Sequence, residues 1–217
     1  MEFNRLKLIN VSKKFDNNII ADKINLKLDA GLYVIVGDNG CGKSSLLKIM
    51  MGLTLPDLGK VEIFNEDSVT ISNHIKVKMG YVFANERSLY YKLTATENLR
   101  FIGRIYGLKT KELDSKIPLL LSEVGLTEEG KLVETFSTGM KKRLAFARAI
   151  LHNPEILFLD EIFSGLDSDG CHQIMKIISE YVNLGKLVIL VTHQKEYIPK
   201  DSVVYKLEDG VLNVVDN

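Results

Sequence analysis

Gly37-Asp38-Asn39-Gly40-Cys41-Gly42-Lys43-Ser44 decides how the rest of this chain reads. The spacing is G-x-x-x-x-G-K-S, a phosphate-cradling loop, and its flanks have the character such a loop requires. Before it, Tyr33-Val34-Ile35-Val36 is an apolar, β-branched run that predicts a buried strand. After it, Ser45 to Met51 has helical character and stops at Gly52, with Pro56 beyond. Strand, glycine loop and helix together make a nucleoside triphosphate site. Glycines let the backbone turn tightly enough for successive N–H groups to face phosphate oxygens, and the helix N-terminus adds partial positive charge. Gly37, Asp38, Asn39, Gly40, Cys41, Gly42, Lys43, Ser44 and Ser45 are therefore the expected nucleotide contacts. Lys43 is placed to reach the β and γ phosphates, and the Ser44 hydroxyl to hold Mg²⁺.

Upstream of the loop, alternation around Leu6, Leu8 and Val11 and through Ile24 to Leu28 predicts half-buried antiparallel strands. Phe15, ahead of the turn-like Asp16-Asn17-Asn18, is either a local packing anchor or a ring that stacks on a base. Downstream, Val61 to Phe64 and Met79 to Phe83 read as strands, the second leading into a polar bend at Asn85-Glu86-Arg87. Thr94-Ala95-Thr96-Glu97 is a capping box that opens a helix ended by Gly107. From Lys109 to about Leu151 the pattern stays mainly helical, and Lys141 to Leu151 places Leu144, Ala147 and Leu151 on one face. The chain thus reads as one domain: an α/β core over 1–85 and 151–217, with residues 86–150 as an inserted helical lobe. Ile156-Leu157-Phe158-Leu159-Asp160 and Lys186 to Thr192 are near-continuous apolar strands of a covered parallel sheet, with a helix over Ile174 to Leu184 between them. Val203 to Leu207 and Val211 to Val214 form a hairpin around Asp209-Gly210.

Composition narrows the class. Among 217 residues, 28 basic side chains balance 28 acidic ones, which gives no support to a nucleic-acid partner. Cys41 and Cys171 lie far apart without metal-like spacing, consistent with a reducing compartment. The first residues lack a basic segment followed by an apolar one, and no apolar run approaches the roughly 20 residues needed to span a bilayer. Action at a membrane is therefore expected to go through a partner.

Hydrolysis of a phosphoanhydride needs a metal anchor, a group that activates water and a contact to the γ-phosphate. Asp160 ends its apolar strand at the edge where open α/β sheets bind ligands, a position suited to Mg²⁺. Glu161 follows it as the candidate general base. His193 ends the next buried strand and is placed for a γ-phosphate oxygen.

The order of these motifs resembles the ATP-binding subunits of ATP-binding-cassette (ABC) transporters over essentially the whole chain. That family's Walker A motif is matched by Gly37 to Ser44, and its Walker B motif by Ile156 to Asp160. Glu161 matches its catalytic carboxylate, and Phe15 sits where it places a base-stacking aromatic. The signature usually written LSGGQ is matched by Phe136-Ser137-Thr138-Gly139-Met140, followed by Lys141 to Ala149 as the signature helix. Ser164 to Asp167 matches the D-loop and His193 the switch histidine. The resemblance implies a P-loop NTPase core with an N-terminal antiparallel β subdomain and an inserted helical subdomain. It also implies ATP and Mg²⁺ as ligands, with Ser137, Thr138, Gly139 and Met140 completing the site of a second subunit in a head-to-tail dimer. A separate transmembrane permease is the implied partner, engaged near residues 84–100 on the cytoplasmic face of the membrane, with an exporter-like lean.

Two positions depart from the family pattern. Ala84 stands where Gln is usual and cannot ligate Mg²⁺; Asn85 and Glu86 are the neighbours able to substitute. Ile162 replaces the proline usual after the catalytic Glu. Other readings fit less well. A soluble ABC-type ATPase usually carries tandem cassettes or long coiled coils, absent here. A P-loop kinase or GTPase leaves Ser137 to Met140 and His193 without a role. A catalytically dead regulatory cassette conflicts with Lys43, Asp160, Glu161 and His193.

Overall fold

Two sheets of different character share one hydrophobic layer. In the computed structural model, which describes residues 4–16, 18–84, 89–127 and 130–215, the first sheet is antiparallel. It contains β1 (Leu6–Phe15), β2 (Asn18–Leu28), β4 (Leu58–Ile63) and the short β5 (Glu66–Asp67), in the order β2-β1-β4-β5. The second contains β3 (Gly31–Val36), β6 (Met79–Val82), β7 (Ile156–Asp160), β8 (Leu187–Val191), β9 (Val203–Glu208) and β10 (Val211–Val215). Its order is β10-β9-β3-β8-β7-β6, parallel from β9 to β6, with β10 closing the hairpin antiparallel at one edge.

Every residue of β7 and β8 is buried, because this sheet is covered on both faces. The two-residue period of a strand then sorts the side chains. Leu157, Leu159, Val188 and Leu190 point into one core layer, shared with α3 (Ala95–Ile105), α4 (Thr110–Glu123), α5 (Thr138–Ile150) and α6 (Ser168–Asn183). Ile156, Phe158, Leu187, Ile189 and Val191 point into the other, against α1 (Lys43–Met50), Ile75 of the short α2 (Asn73–Lys76) and the antiparallel sheet. Each large apolar side chain so buried contributes about 1.5–3 kcal/mol of transfer free energy.

Several boundaries differ from those read in the sequence. Phe15 is the last residue of β1, and Asp16, at φ +50°, makes the turn after it. The strand at Val61 joins the antiparallel sheet. Helix α1 begins at Lys43, two residues before the apolar pattern shows, with Gly52 at φ +72° beyond its end. The helical stretch after Lys109 is broken: α4 stops at Glu123, a 3-10 turn spans Val133–Thr135, and α5 starts after Ser137. Helix α6 starts at Ser168 rather than near Ile174 because Asp167 caps it, accepting from the Gly170 amide at 3.0 Å. Capping chemistry overrode the hydrophobic period at both α5 and α6.

Helix α5 meets the sheet edge at Gly80 of β6, where a β carbon would overlap the Ala149 carbonyl oxygen. Gly80→Ala is therefore expected to destabilise the fold by about 1–3 kcal/mol, seen as a thermal midpoint lower by about 2–4 °C per kcal/mol. An unchanged midpoint would mean that the helix and strand can part freely.

A second link lies at His152, just past α5. Its ring stacks on Tyr106 at 3.7 Å between centroids, and its Nε2 lies 3.1 Å from the Met79 carbonyl oxygen. Burial pushes its pKa down to about 4 from an ordinary 6.5; the Met79 carbonyl opposes this, and nearby Lys116, Lys186 and Arg148 add to it. Folding thus depresses the pKa of a base, so the unfolded chain binds the extra proton first on acidification. Stability should fall as pH is lowered from 6.5 to about 4, and His152→Gln should flatten that part of the pH dependence of the urea midpoint.

Candidate nucleotide site

Three parallel strands end level with one another. Val191 of β8 pairs with Ile35 of β3 on one side and with Asp160 of β7 on the other. The chain therefore leaves the sheet three times at one edge: into the Gly37 loop, into Glu161, and into Thr192 and His193. In open α/β sheets this carboxyl edge is where ligands bind.

The loop needs its glycines for two physical reasons. Gly40 and Gly42 sit at φ +81° and +104°, a region costly for residues with a β carbon. At Gly37 a β carbon would lie 2.6 Å from the Leu207 carbonyl oxygen and 2.9 Å from Cys41 Sγ. Helix α1 starts with no side-chain cap and no acidic residue in its first turn, so its leading N–H groups remain for an anion. Lys43 is buried, its Nζ donating to the Gly37 and Asp38 carbonyls at 2.8 Å each. That places the ammonium inside the turn, where a phosphate oxygen is a stronger acceptor than a neutral carbonyl. Cys41, a free and partly buried thiol, packs against the core beneath the loop.

Asp160 is only 3% exposed. Burial pushes its carboxyl above the ordinary range; a hydrogen bond from Ser44 opposes this, the charge of Glu161 raises it further, and the Ala84 amide draws it down. Its Oδ1 is buried with no hydrogen-bond partner. A carboxylate beside a hydroxyl, with one oxygen unused, fits a hard divalent cation. Among the described residues no group of three or more His, Cys, Asp or Glu could hold a metal, so phosphate and water oxygens would complete the coordination.

Glu161 is held in an uncommon backbone conformation, φ +50°, which costs about 1–2 kcal/mol in a residue with a β carbon. Its N–H donates to the Val191 carbonyl at 2.9 Å, and its own carbonyl accepts from Lys142 Nζ at 2.5 Å. Its Oε2 lies 2.9 Å from His193 Nδ1, an ion-pair distance without hydrogen-bond geometry. Carboxylate and imidazole thus stand together at the mouth of the loop.

Phe15, Asn39, Gly40, Gly42, Lys43, Ser44, Ser45 and Glu161 line one open cleft of about 470 Å³. Gly37, Asp38 and His193 border a neighbouring cleft with Lys195 and Lys206. Ser137, Thr138, Gly139, Met140 and Asp167 line a third, with Arg143 and Gly165, and it shares no residue with the first. There Ser137 caps α5, its Oγ accepting from the Met140 amide at 3.2 Å. Asp167 caps α6 and pairs with Arg143; the Gly170 amide and then Arg143 hold its carboxyl below the usual carboxylate range. Asn85 and Glu86 lie outside the described residues. Ala84, which lacks a polar side chain, still engages Asp160 through its backbone. Ile162 is fully buried in the helical core layer, which explains an apolar side chain there.

One polar group at this site escaped the sequence reading. Lys142 is 4% exposed on α5 although it stands in the basic Lys141-Lys142-Arg143 run at the start of the signature helix. The signal available was its helical spacing, four residues before the buried Phe146 and seven before Ala149.

Comparison with known proteins agrees with this geometry. The ABC transporter family model matches residues 21–164. A Nod factor export ATP-binding protein I from Sinorhizobium fredii is 33% identical, over 88% of this chain and 56% of its own length. The ABC transporter ATP-binding protein NatA of Bacillus subtilis is 32% identical, over 83% and 75%. The ergothioneine transport ATP-binding protein EgtV of Helicobacter pylori is 34% identical, over 88% and 91%. This chain thus spans just over half of the first of these relatives and nearly all of the third. Among solved structures, the dimeric ATP-binding cassette MJ0796 in a post-hydrolysis state with ADP and Pi superposes with a TM-score of 0.86 at 28% identity, covering 97% of this chain and 98% of the other. Among the described residues no helix is long and apolar enough to cross a membrane. A phosphate loop, then a serine-capped helix in a cleft of its own, then an Asp-Glu strand end follow one another along this fold, and with the family model matching two thirds of its length, the chain is a member of the ABC transporter family, similar to its ATP-binding proteins.

Proposed function

We propose that two such cassettes close head to tail around ATP, and that hydrolysis reopens them to drive a separate transmembrane permease. One observation carries this reading: the signature cleft and the phosphate cleft of a single chain share no residue. Ser137, at the N-terminus of α5, then serves the ATP held by the other subunit, where helix N–H groups and a hydroxyl meet the γ-phosphate.

Within one half-site the loop amides and Lys43 bind the phosphates, and Phe15, half-exposed at the rim, stacks on the base. Ser44 and Asp160 would hold Mg²⁺, which when bound neutralises phosphate charge. Glu161 accepts a proton from the attacking water as the bond from the γ-phosphorus to its bridging oxygen breaks, leaving ADP and phosphate. His193 donates to a γ-phosphate oxygen and steadies the Glu161 carboxylate. Asp167 keeps α6 and Arg143 in place behind the signature.

For the permease, the supporting surface is a groove bordered by Met51, Leu53, Val77, Tyr81, Ile105 and Tyr106. Phe101 and Ile105 are exposed one helical turn apart on α3, and Tyr90 meets Phe101 edge-on at 4.9 Å, which extends the apolar surface into the 84–100 segment. A cytoplasmic helix of the permease fits this shape and holds the cassette at the cytoplasmic face of the membrane. The export-naming relative supports transport outward.

Glu161→Gln is expected to lower ATP turnover by about 10²-fold or more while an ATP-bound dimer accumulates on size-exclusion chromatography. A variant that stays monomeric at saturating ATP, or turns over normally, rejects the mechanism. Lys43→Ala should raise the nucleotide Kd by about tenfold or more, a loss of about 1.4 kcal/mol per decade. An unchanged ATP titration would contradict the assignment of the cradle.

A further inference from the structure

Residue Glu161 is clamped from both sides of its peptide, and the second clamp comes from the signature helix. Its N–H is tied to Val191 of β8, so the sheet fixes where the residue begins. Its carbonyl is tied to Lys142 Nζ of α5 at 2.5 Å and more weakly to the Ser164 amide at 3.3 Å. Between these ties the backbone sits at φ +50°, a conformation that relaxes unless its surroundings hold it. The side chain of Glu161 lines the phosphate cleft, whereas Lys142 does not.

We propose that Lys142 is a positioning residue for hydrolysis: it holds the Glu161 carbonyl, and so aims the carboxylate, from the helix whose N-terminus serves the other subunit's ATP. This rests on the reading of Glu161 as the general base. The geometry gives the role its content. Ser137 caps the same helix roughly one and a half turns before Lys142. Seating of that N-terminus on a neighbour's γ-phosphate is felt, through a nearly rigid turn and a half, at the backbone of the base in its own half-site. A buried ammonium with a short bond to a carbonyl is a costly group to place in a core, and an apolar side chain of the same length would fill the space.

The test uses the full-length chain as Lys142→Met, Lys142→Arg, Glu161→Gln and wild type. Each is measured for steady-state ATP turnover, for affinity by titration with a fluorescent ATP analogue, for ATP-dependent dimer on size-exclusion chromatography and for thermal midpoint. Lys142→Met keeps an unbranched side chain one atom shorter and removes the donor. The expected result is a kcat about tenfold or more below wild type, with KM and nucleotide affinity within about twofold, because a positioning contact is felt in the transition state. The ATP-bound dimer should accumulate, as with Glu161→Gln, and Lys142→Arg, which restores a donor, should recover most of kcat. Wild-type kcat in Lys142→Met beside an inactive Glu161→Gln overturns the role of Lys142 and leaves the base intact. Low turnover without an ATP-bound dimer also overturns it, since the lysine would then act in closure. Failure of both lysine variants to fold assigns it to the framework alone and overturns the proposal equally. Normal turnover in Glu161→Gln, by contrast, removes the underlying reading of the base.

Discussion

Burial of the central parallel sheet on both faces is the constraint on which the rest of the molecule depends. Strands β7 and β8 have no exposed residue, so neither can slip by one position without exchanging the contents of two core layers. Register is therefore firm, and with it the level at which β3, β7 and β8 end. A slip of one residue in β7 would carry Asp160 to the opposite face of the sheet and away from Ser44. The chemistry at the edge is as well placed as the hydrophobic alternation beneath it.

At that edge the polar groups are held mainly by backbone. Lys43 rests on two loop carbonyls, Asp160 meets the Ala84 amide, and Glu161 is tied at both ends of its peptide unit. The ties to Glu161 go through its peptide groups and leave its carboxylate available for ligand. The unused Asp160 Oδ1 and the poorly satisfied Glu161 Oε2 are what such a site should hold before its ligand arrives. Strain follows the same pattern: the positive φ at Glu161 lies at the residue proposed as the base, and backbone strain gathers at working sites.

The helices between β6 and β7 in the chain carry the serine-bearing turn. Gly80 lets α5 approach the sheet edge closely, and the stacked rings of Tyr106 and His152 fasten the ends of α3 and α5 beside it. Those contacts set where Ser137 stands, in a cleft of its own. Arg143, reaching from α5 to Asp167, the Gly125 carbonyl and Gln173, spans the segments around that cleft.

Much of this was legible without coordinates, because the signals were local. Glycine spacing marked the loop, since only residues without a β carbon fit its dihedrals, and a capping box marked α3, since Thr94 and Glu97 satisfy each other's donors. Continuous apolar runs marked β7 and β8. Other features escape the hydrophobic period. The starts of α5 and α6 are set by local caps at Ser137 and Asp167, and the helical spacing that separates Lys142 from Lys141 gives it no role until the Glu161 carbonyl, distant in the chain, is seen against it. Sequence alone determined the loop and the strands that flank it, because each follows from spacing along one segment. Tertiary structure alone decided that the signature and the phosphate loop lie in separate clefts, and that a lysine of the signature helix holds the backbone of Glu161. Both are relations between segments far apart in the chain, and only packing brings such segments to a distance.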